Sequence, residues 1–398
     1  MSRRDVDIVV CGGGVAGAAC ASLLSEAGHT VALIEARRPD WQPPADDFDL
    51  RVVAVSPGSA RILSAAGGWL LHDPRRRAEY RRMQVSAGRG EVSFSAQEHG
   101  LDQLGWIAEV PALQRAQWQA IERRGQIRVL APVRVERIDP RRHSVRLDLD
   151  NGETLESTLV VAADGARSPL RQMAGIAIDE WHYNQAALVT HVRTERQNEG
   201  TAWQLFTKHG PLALLPLADG RSSIVWSQST ERVDKLLSLD DQDFLDELNA
   251  HQDSPFGPAL SCTARRSFPL VRRQAKSLVS GRLVLLGDAA RNVHPLAGQG
   301  LNLGLADAAA LAEVLEGWNA DRDPDAALTR YQRWRLGSGS LIAGGIHAIN
   351  ELGHGPLHLG TGLLGAGFSL ASRLWPARES FVKRACGLDS DSPRLARS

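Results

Sequence analysis

The stretch VDIVVCGGGVAGAAC, residues 6–20, constrains this chain more than any other. An apolar run almost without polar alternation reads as a parallel strand buried on both faces. Gly12, Gly14 and Gly17 follow at GxGxxG spacing, with Val15 and Ala16 between the last two, and AGAACASLLSEAG predicts a helix closing at Gly28. A second apolar run, TVALIE, ends in Glu35. Gly12 permits the tight turn, Gly14 lets a pyrophosphate approach the backbone, and Gly17 lets helix and strand pack closely. The helix start offers unpaired amides and partial positive charge to phosphates. Glu35 is placed to accept hydrogen bonds from a ribose diol. The alternative is a set of incidental turn glycines, and this junction alone does not say which dinucleotide would bind.

Two more strand ends carry small residues. TLVVAADGARSPLRQMAG (158–175) runs into Asp164-Gly165, and RLVLLGDAARNVHPLAGQGLNLGLADAAALAEVL (282–315) breaks at Gly287-Asp288 before a long helix pattern. An Asp-Gly turn after a buried strand sets amides and a carboxylate beside something polar. Three such ends predict a ligand long enough to need contacts along its whole length, and FAD is such a ligand. Between about 180 and 275, AALVTHV, TAWQLF, LALLPL and SSIVWS read as strands. The expected fold is α/β: a Rossmann-like FAD-binding domain, an inserted mixed β-sheet substrate domain and a C-terminal helical region. The boundaries expected are 1–75, 105–178 and 277–340 for the FAD-binding domain, 76–104 and 179–276 for the substrate domain, and 341–398 for the helical region.

Charge narrows the function classes. Lys plus Arg equal Asp plus Glu, 46 against 46, so no overall field favours nucleic acid. Cys11, Cys20, Cys262 and Cys386 are scattered without metal-ligand spacing, so no metal is expected and reduced thiols are. The N-terminus enters a strand at once, leaving no room for a signal peptide, and no apolar run reaches membrane-spanning length. A cytoplasmic protein is expected, with contact at the inner face of the cell membrane left open.

In that order and spacing, the fingerprint with Glu35, the Asp164-Gly165 turn and the Gly287-Asp288 turn resemble the flavoprotein aromatic hydroxylases. FDLRVVAVSPGSARIL (48–63), LGWIAEVPALQ (104–114), TAWQLFTKHGPLALLPL (201–217), SIVWS (223–227), RRSFPL and HPLAGQGLNLG are similar to the FAD-dependent ubiquinone-biosynthesis hydroxylases of bacteria. The resemblance covers roughly residues 5 to 310. It implies FAD as cofactor, NAD(P)H as co-substrate and transfer of oxygen from O2 to an electron-rich ring through a flavin C4a-hydroperoxide. Asp288 would bond the ribityl chain. Gly298, Gly300, Leu301 and Asn302 in AGQGLN would lie under the pyrimidine edge of the flavin. Arg51 and Gln114 would flank the cofactor, Arg51 being otherwise a surface ion pair. Asp164 and Gly165 would lie near the pyrophosphate, with Arg167 or Arg171 meeting NAD(P)H. His294 and Pro295 would sit in the catalytic loop, His294 as a base toward a phenol or as a structural histidine. One departure stands out: family members usually show histidine after GDAA, and this chain has Arg291.

Trp203, Phe206, Leu215, Trp226 and Phe268 are the expected lining of the substrate pocket, the alternative for each being ordinary sheet core. GPLALLPL offers no Arg, Ser or Tyr to anchor a carboxylate, which predicts a neutral, lipophilic phenol. In the C-terminal region Leu363, Leu364, Phe368, Ala371, Leu374 and Trp375 recur at helical spacing. Such a stripe either lies in a membrane interface or packs on the protein or a partner. The expected activity is ring hydroxylation of a polyprenylated phenol in ubiquinone biosynthesis. Its alternatives are a soluble aromatic hydroxylase of secondary metabolism and a non-catalytic flavin-binding scaffold. A homo-oligomer and membership of a ubiquinone-biosynthesis complex both stay open.

Overall fold

The computed structural model describes residues 4–42, 47–207, 209–293, 299–338 and 375–397. Five strands form the parallel heart of an eight-stranded sheet, in the order Leu283–Leu285, Thr154–Ala162, Val6–Cys11, Val31–Ile34 and Arg128–Leu130. Ile8, Val9 and Val10 are fully buried, as a strand covered on both faces requires. Helix α1 (Val15–Glu26) packs against helices later in the chain, and its buried face is built mostly from alanines, Cys20, Leu23 and Leu24. These small side chains let helix and sheet approach closely.

Helix α2 (Pro57–Ala65) opens on Ser56, whose hydroxyl accepts the Ser59 N–H, with Pro57 in the first turn. Helix α3 (Val110–Arg124) covers the other side of the fingerprint. The segment around them is tied by a three-stranded antiparallel sheet of Val52–Val55, Gly105–Glu109 and Arg77–Tyr80.

The second large sheet has nine strands and is mostly antiparallel. Its main path runs Arg291–Asn292, Arg266–Ala275, Ile178–Thr194, Ser222–Ser229, Gly210–Pro216, Thr201–Thr207, Arg82–Ala87 and Gly90–Ser95. The four mid-chain strands read from the sequence are all present in it. Two helices, Thr230–Ser238 and Asp241–His251, cover one of its faces, and Phe244 and Leu248 are fully buried there.

Chain order and sheet membership do not coincide. The chain joins the nine-stranded sheet at Arg82, leaves it before Gly105, and re-enters it at Ile178. It returns once more, for two residues, at Arg291–Asn292.

At the C-terminus the helix Trp375–Ala385 brings Val382 into a core with Phe94 and Phe206, and Cys386 follows it there. The final turn, Arg394–Arg397, packs on α2, where the Arg61 guanidinium donates to the Ala396 carbonyl at 2.9 Å. Among the described residues no helix is long and apolar enough to cross a membrane. The apolar stripe from Leu363 to Leu374 lies outside the described residues.

Candidate cofactor and active site

Register brings the three sequence junctions to one edge. Cys11 lies opposite both Ala162 and Ile34, and Ala162 lies opposite Leu285. Gly12, Glu35, Asp164 and Gly287-Asp288 therefore leave four adjacent parallel strands at their carboxyl ends, where open α/β sheets bind ligands.

The glycines divide by what a side chain would meet. A methyl on Gly12, at φ +110°, would lie 2.2 Å from the Ala163 carbonyl oxygen. One on Gly17 would lie 2.0 Å from the Gly12 carbonyl oxygen. These two close the strand–helix junction. Around Gly14 nothing among the described residues lies within 4 Å of such a methyl, so the backbone there faces open space. That open cradle at the start of α1 is what a pyrophosphate needs.

Gly13 holds the loop in place. Its N–H donates to Glu35 Oε2 at 2.5 Å, and its carbonyl accepts from Gln114 Nε2 and Trp118 Nε1, each at 2.8 Å. Glu35 Oε1 accepts the Arg37 N–H at 2.9 Å. Glu35 and Gln114 thus fix the fingerprint loop as well as standing beside it. Trp118 was not legible as a site residue, yet it lies one helical turn beyond Gln114 on the same face of α3.

Asp164 Oδ2 accepts the Leu170 N–H at 3.1 Å, while its Oδ1 is buried without a partner among the described residues. Burial holds this carboxyl above the usual carboxylate range, against the pull of hydrogen bonds from Ser168 and Leu170. A buried acceptor left unmatched is costly, so a ligand hydroxyl fits there. The Asp288 side chain is open to solvent, yet the protein around it pushes its carboxyl above the usual range, opposed by the Asn292 side chain. Between the two turns, buried Arg171 donates to the Ala289 carbonyl at 2.9 Å and to that of Ala166 at 3.1 Å. Arg171 is thus committed to two carbonyls, whereas Arg167 is exposed.

The helix Gln299–Val314 starts beside these turns. Gly300, Leu301 and Asn302 form its first turn, and a methyl on Gly300 would meet nothing within 4 Å among the described residues. Asn302 bolts the helix start to the neighbouring strand, accepting the Ser56 N–H at 3.0 Å and donating to the Ala54 carbonyl at 2.9 Å. The first amides of such a helix lack intrahelical partners and suit negative charge. His294, Pro295 and Gly298 fall outside the described residues.

Arg51 is 56% exposed in its side chain and is chelated by Asp49, at 3.0 and 3.1 Å. Here it forms the surface ion pair. Its segment is pinned to both halves of the molecule: the Asp49 N–H donates to Glu109, and His191 Nε2 lies 3.3 Å from the Asp49 carbonyl oxygen.

Register divides the expected pocket lining between the two faces of the sheet, with Phe206, Leu215 and Phe268 on one face and Trp203 and Trp226 on the other. Trp203 and Trp226 point into the core beneath the two covering helices, with Leu188, Leu212 and Phe244. Phe206 belongs to a different core, with Val85, Phe94 and Val382. Leu215 lies opposite Ser223, which lies opposite His191, so these three share the sheet face turned toward the Asp49 segment. Val189, Val225 and Ala213 continue that face. Phe268, opposite Ala187, is 41% exposed on the same side.

Residues 5–341 match the FAD binding domain family. The chain is 35% identical over 355 residues to the 3-demethoxyubiquinol 3-hydroxylase of Escherichia coli, covering 87% of this chain and 89% of that one. It is 32% identical over 400 residues to the ubiquinone hydroxylase UbiL of Rhodospirillum rubrum, covering 98% and 92%. In fold it is similar to Klebsiella pneumoniae HpxO, solved with FAD and uric acid, with a TM-score of 0.73 and 19% identity over 97% of both chains. The chain belongs to the FAD binding domain family, as a flavoprotein monooxygenase of the kind found among the ubiquinone-biosynthesis hydroxylases. Its cofactor is FAD, and the open cradle at Gly14 with the unmatched Asp164 oxygen fits that cofactor.

Proposed function

We propose that this protein hydroxylates the aromatic ring of a polyprenylated phenol in ubiquinone biosynthesis. Two electrons from NAD(P)H and one O2 would place one oxygen atom on the ring and release the other as water. When bound, FAD supplies the redox chemistry; the chain supplies orientation, electrostatics and exclusion of water. The reading is carried by the four adjacent strand ends that meet at one sheet edge, combined with relatedness to ubiquinone hydroxylases over most of the chain.

In this reading the amides of Gly14 to Gly17 at the head of α1 hold the pyrophosphate, and Glu35 orients a ribose. Asp164 and Asp288 accept from hydroxyls along the cofactor, and Gly300, Leu301 and Asn302 place helix-start amides at the flavin's pyrimidine edge. The catalytic role of His294 and Pro295 rests on the family resemblance alone. Arg51 would exchange Asp49 for the cofactor. Leu215, Val225, Ala213 and Val189 offer an apolar, uncharged surface, which supports a neutral, lipophilic ring.

Purified protein should be yellow, and NAD(P)H should bleach it anaerobically. Short-tailed prenylphenols should stimulate oxygen uptake at least about tenfold over hydroxybenzoates, since an apolar surface rejects a carboxylate. Equal stimulation by hydroxybenzoates would overturn the substrate class, and a yellow protein that never bleaches would overturn the enzyme.

We also propose peripheral membrane contact through the 363–375 stripe, as a lipophilic substrate would require. Truncation after residue 340 is a poor test, because it removes the packed Val382 and Cys386. Replacing Leu363, Leu364 and Phe368 together by serine should abolish sedimentation with liposomes while FAD stays bound. Unchanged sedimentation would remove this idea.

A further inference from the structure

Arg291 belongs to two parts of the molecule at once. Its backbone pairs with Gln274 in the nine-stranded sheet, while its side chain is buried in the FAD-binding half, 1% exposed. There Nη1 donates to both oxygens of Asp307, each at 2.9 Å, and Nη2 donates to the Arg335 carbonyl at 3.2 Å. Arg335, from the helix over 325–338 and 3% exposed, donates from Nε to Asp307 Oδ1 at 2.7 Å. The Gly287 N–H donates to the other Asp307 oxygen at 3.2 Å.

Two guanidinium groups therefore share one carboxylate, which is fully buried, directly beneath the Gly287-Asp288 turn. Arg291 Nε has no partner among the described residues. The nearby Tyr331 hydroxyl donates to the Leu285 carbonyl at 2.9 Å and brings no charge. Arg171, on the far side of the turn, feels the carboxylates of Asp164 and Glu180 against the Arg273 guanidinium. Among the described residues the cluster thus holds one cation more than it holds anions, with its three side chains at most 3% exposed, where little water can screen the charge.

We infer that the buried Arg291–Asp307–Arg335 cluster is a positioning element that favours the anionic, reduced form of the flavin. The inference rests on the reading of Asp288 as a cofactor contact. A fixed charge in a low-dielectric interior acts over a longer range than one at the surface. Reduction adds negative charge to the flavin, so a sealed cation beneath the turn raises the midpoint potential.

The test is the flavin midpoint potential of the holoenzyme, measured by dye equilibration beside the melting temperature of each variant. Arg291→Gln and Arg335→Gln should shift the potential down. Arg291→Lys and Arg335→Lys, which keep the charge, should hold it near the parent value even where the melting temperature falls. Asp307→Asn should shift it up. Potentials that follow melting temperature, or move one way in every variant, would overturn the inference and leave the cluster a purely structural element. If one arginine's variants fail to fold, the glutamine–lysine pair at the other still decides. Asp288→Ala tests the underlying reading separately: FAD held as tightly as in the parent would remove the cofactor contact without any measurement of potential.

Discussion

Replacing Gly14 by serine is expected to weaken FAD binding by about 100-fold, close to 3 kcal/mol, while leaving the apoprotein's stability within about 0.5 kcal/mol of the parent. Gly14 is the residue that caps α1, at φ −64° and ψ 173°. Ser56 already adopts almost that conformation at the start of α2, at φ −74° and ψ 160°, so the backbone accepts serine there. Serine is also a better helix cap than alanine. No atom of the described residues lies within 4 Å of its Cβ, and the new side chain would enter the space a pyrophosphate would use.

Gly17→Ala is expected to behave oppositely, costing the apoprotein about 3 kcal/mol. Its methyl would sit 2.0 Å from the Gly12 carbonyl oxygen and 3.0 Å from the Ala163 side chain. Denaturant melts of apoprotein and fluorescence titration with FAD separate the two effects. Undiminished FAD affinity in Gly14→Ser would mean that the nucleotide does not lie over the fingerprint.

The second large effect is expected at Asp307. Asp307→Ala should destabilise the protein by about 3–5 kcal/mol, because it leaves two guanidinium groups in the interior without a counter-charge. Replacing Arg291 and Arg335 by methionine along with Asp307→Leu should recover most of that loss, since apolar side chains of similar volume remove the uncompensated charges. Denaturant midpoints for parent, single and triple variants would show it. A single variant as stable as the parent would mean that water reaches the cluster.

What the sequence disclosed follows the range of the interactions. The fingerprint, Asp164-Gly165 and Gly287-Asp288 are legible because strand, turn and helix start are adjacent in the chain, and the turn chemistry is local. That they share one edge depends only on strand order, which βαβ connections restrict. The expected lining mixes the two faces of one sheet, for a reason also visible in the sequence. Trp203 and Phe206 are three apart in one strand, so they cannot face the same side. Parity alone, however, does not say which face two later helices will cover. The Asp307 cluster was hidden differently: an aspartate inside an alanine-rich helix gives no sign that arginines 16 residues before and 28 after will meet it. Only the unusual Arg291 hinted at it.

The two-residue strand Arg291–Asn292 carries a consequence for protein engineering. Because it is sewn to Arg273 and Gln274, and the Ala275 N–H donates to the Ala290 carbonyl at 2.9 Å, the turn at Gly287-Asp288 is stitched to the mid-chain sheet. A chimera that exchanges this sheet between flavoproteins cannot treat residues 179–276 as a detachable cassette. The donor would have to contribute its own version of that short ribbon, together with buried partners for whichever side chain stands at 291.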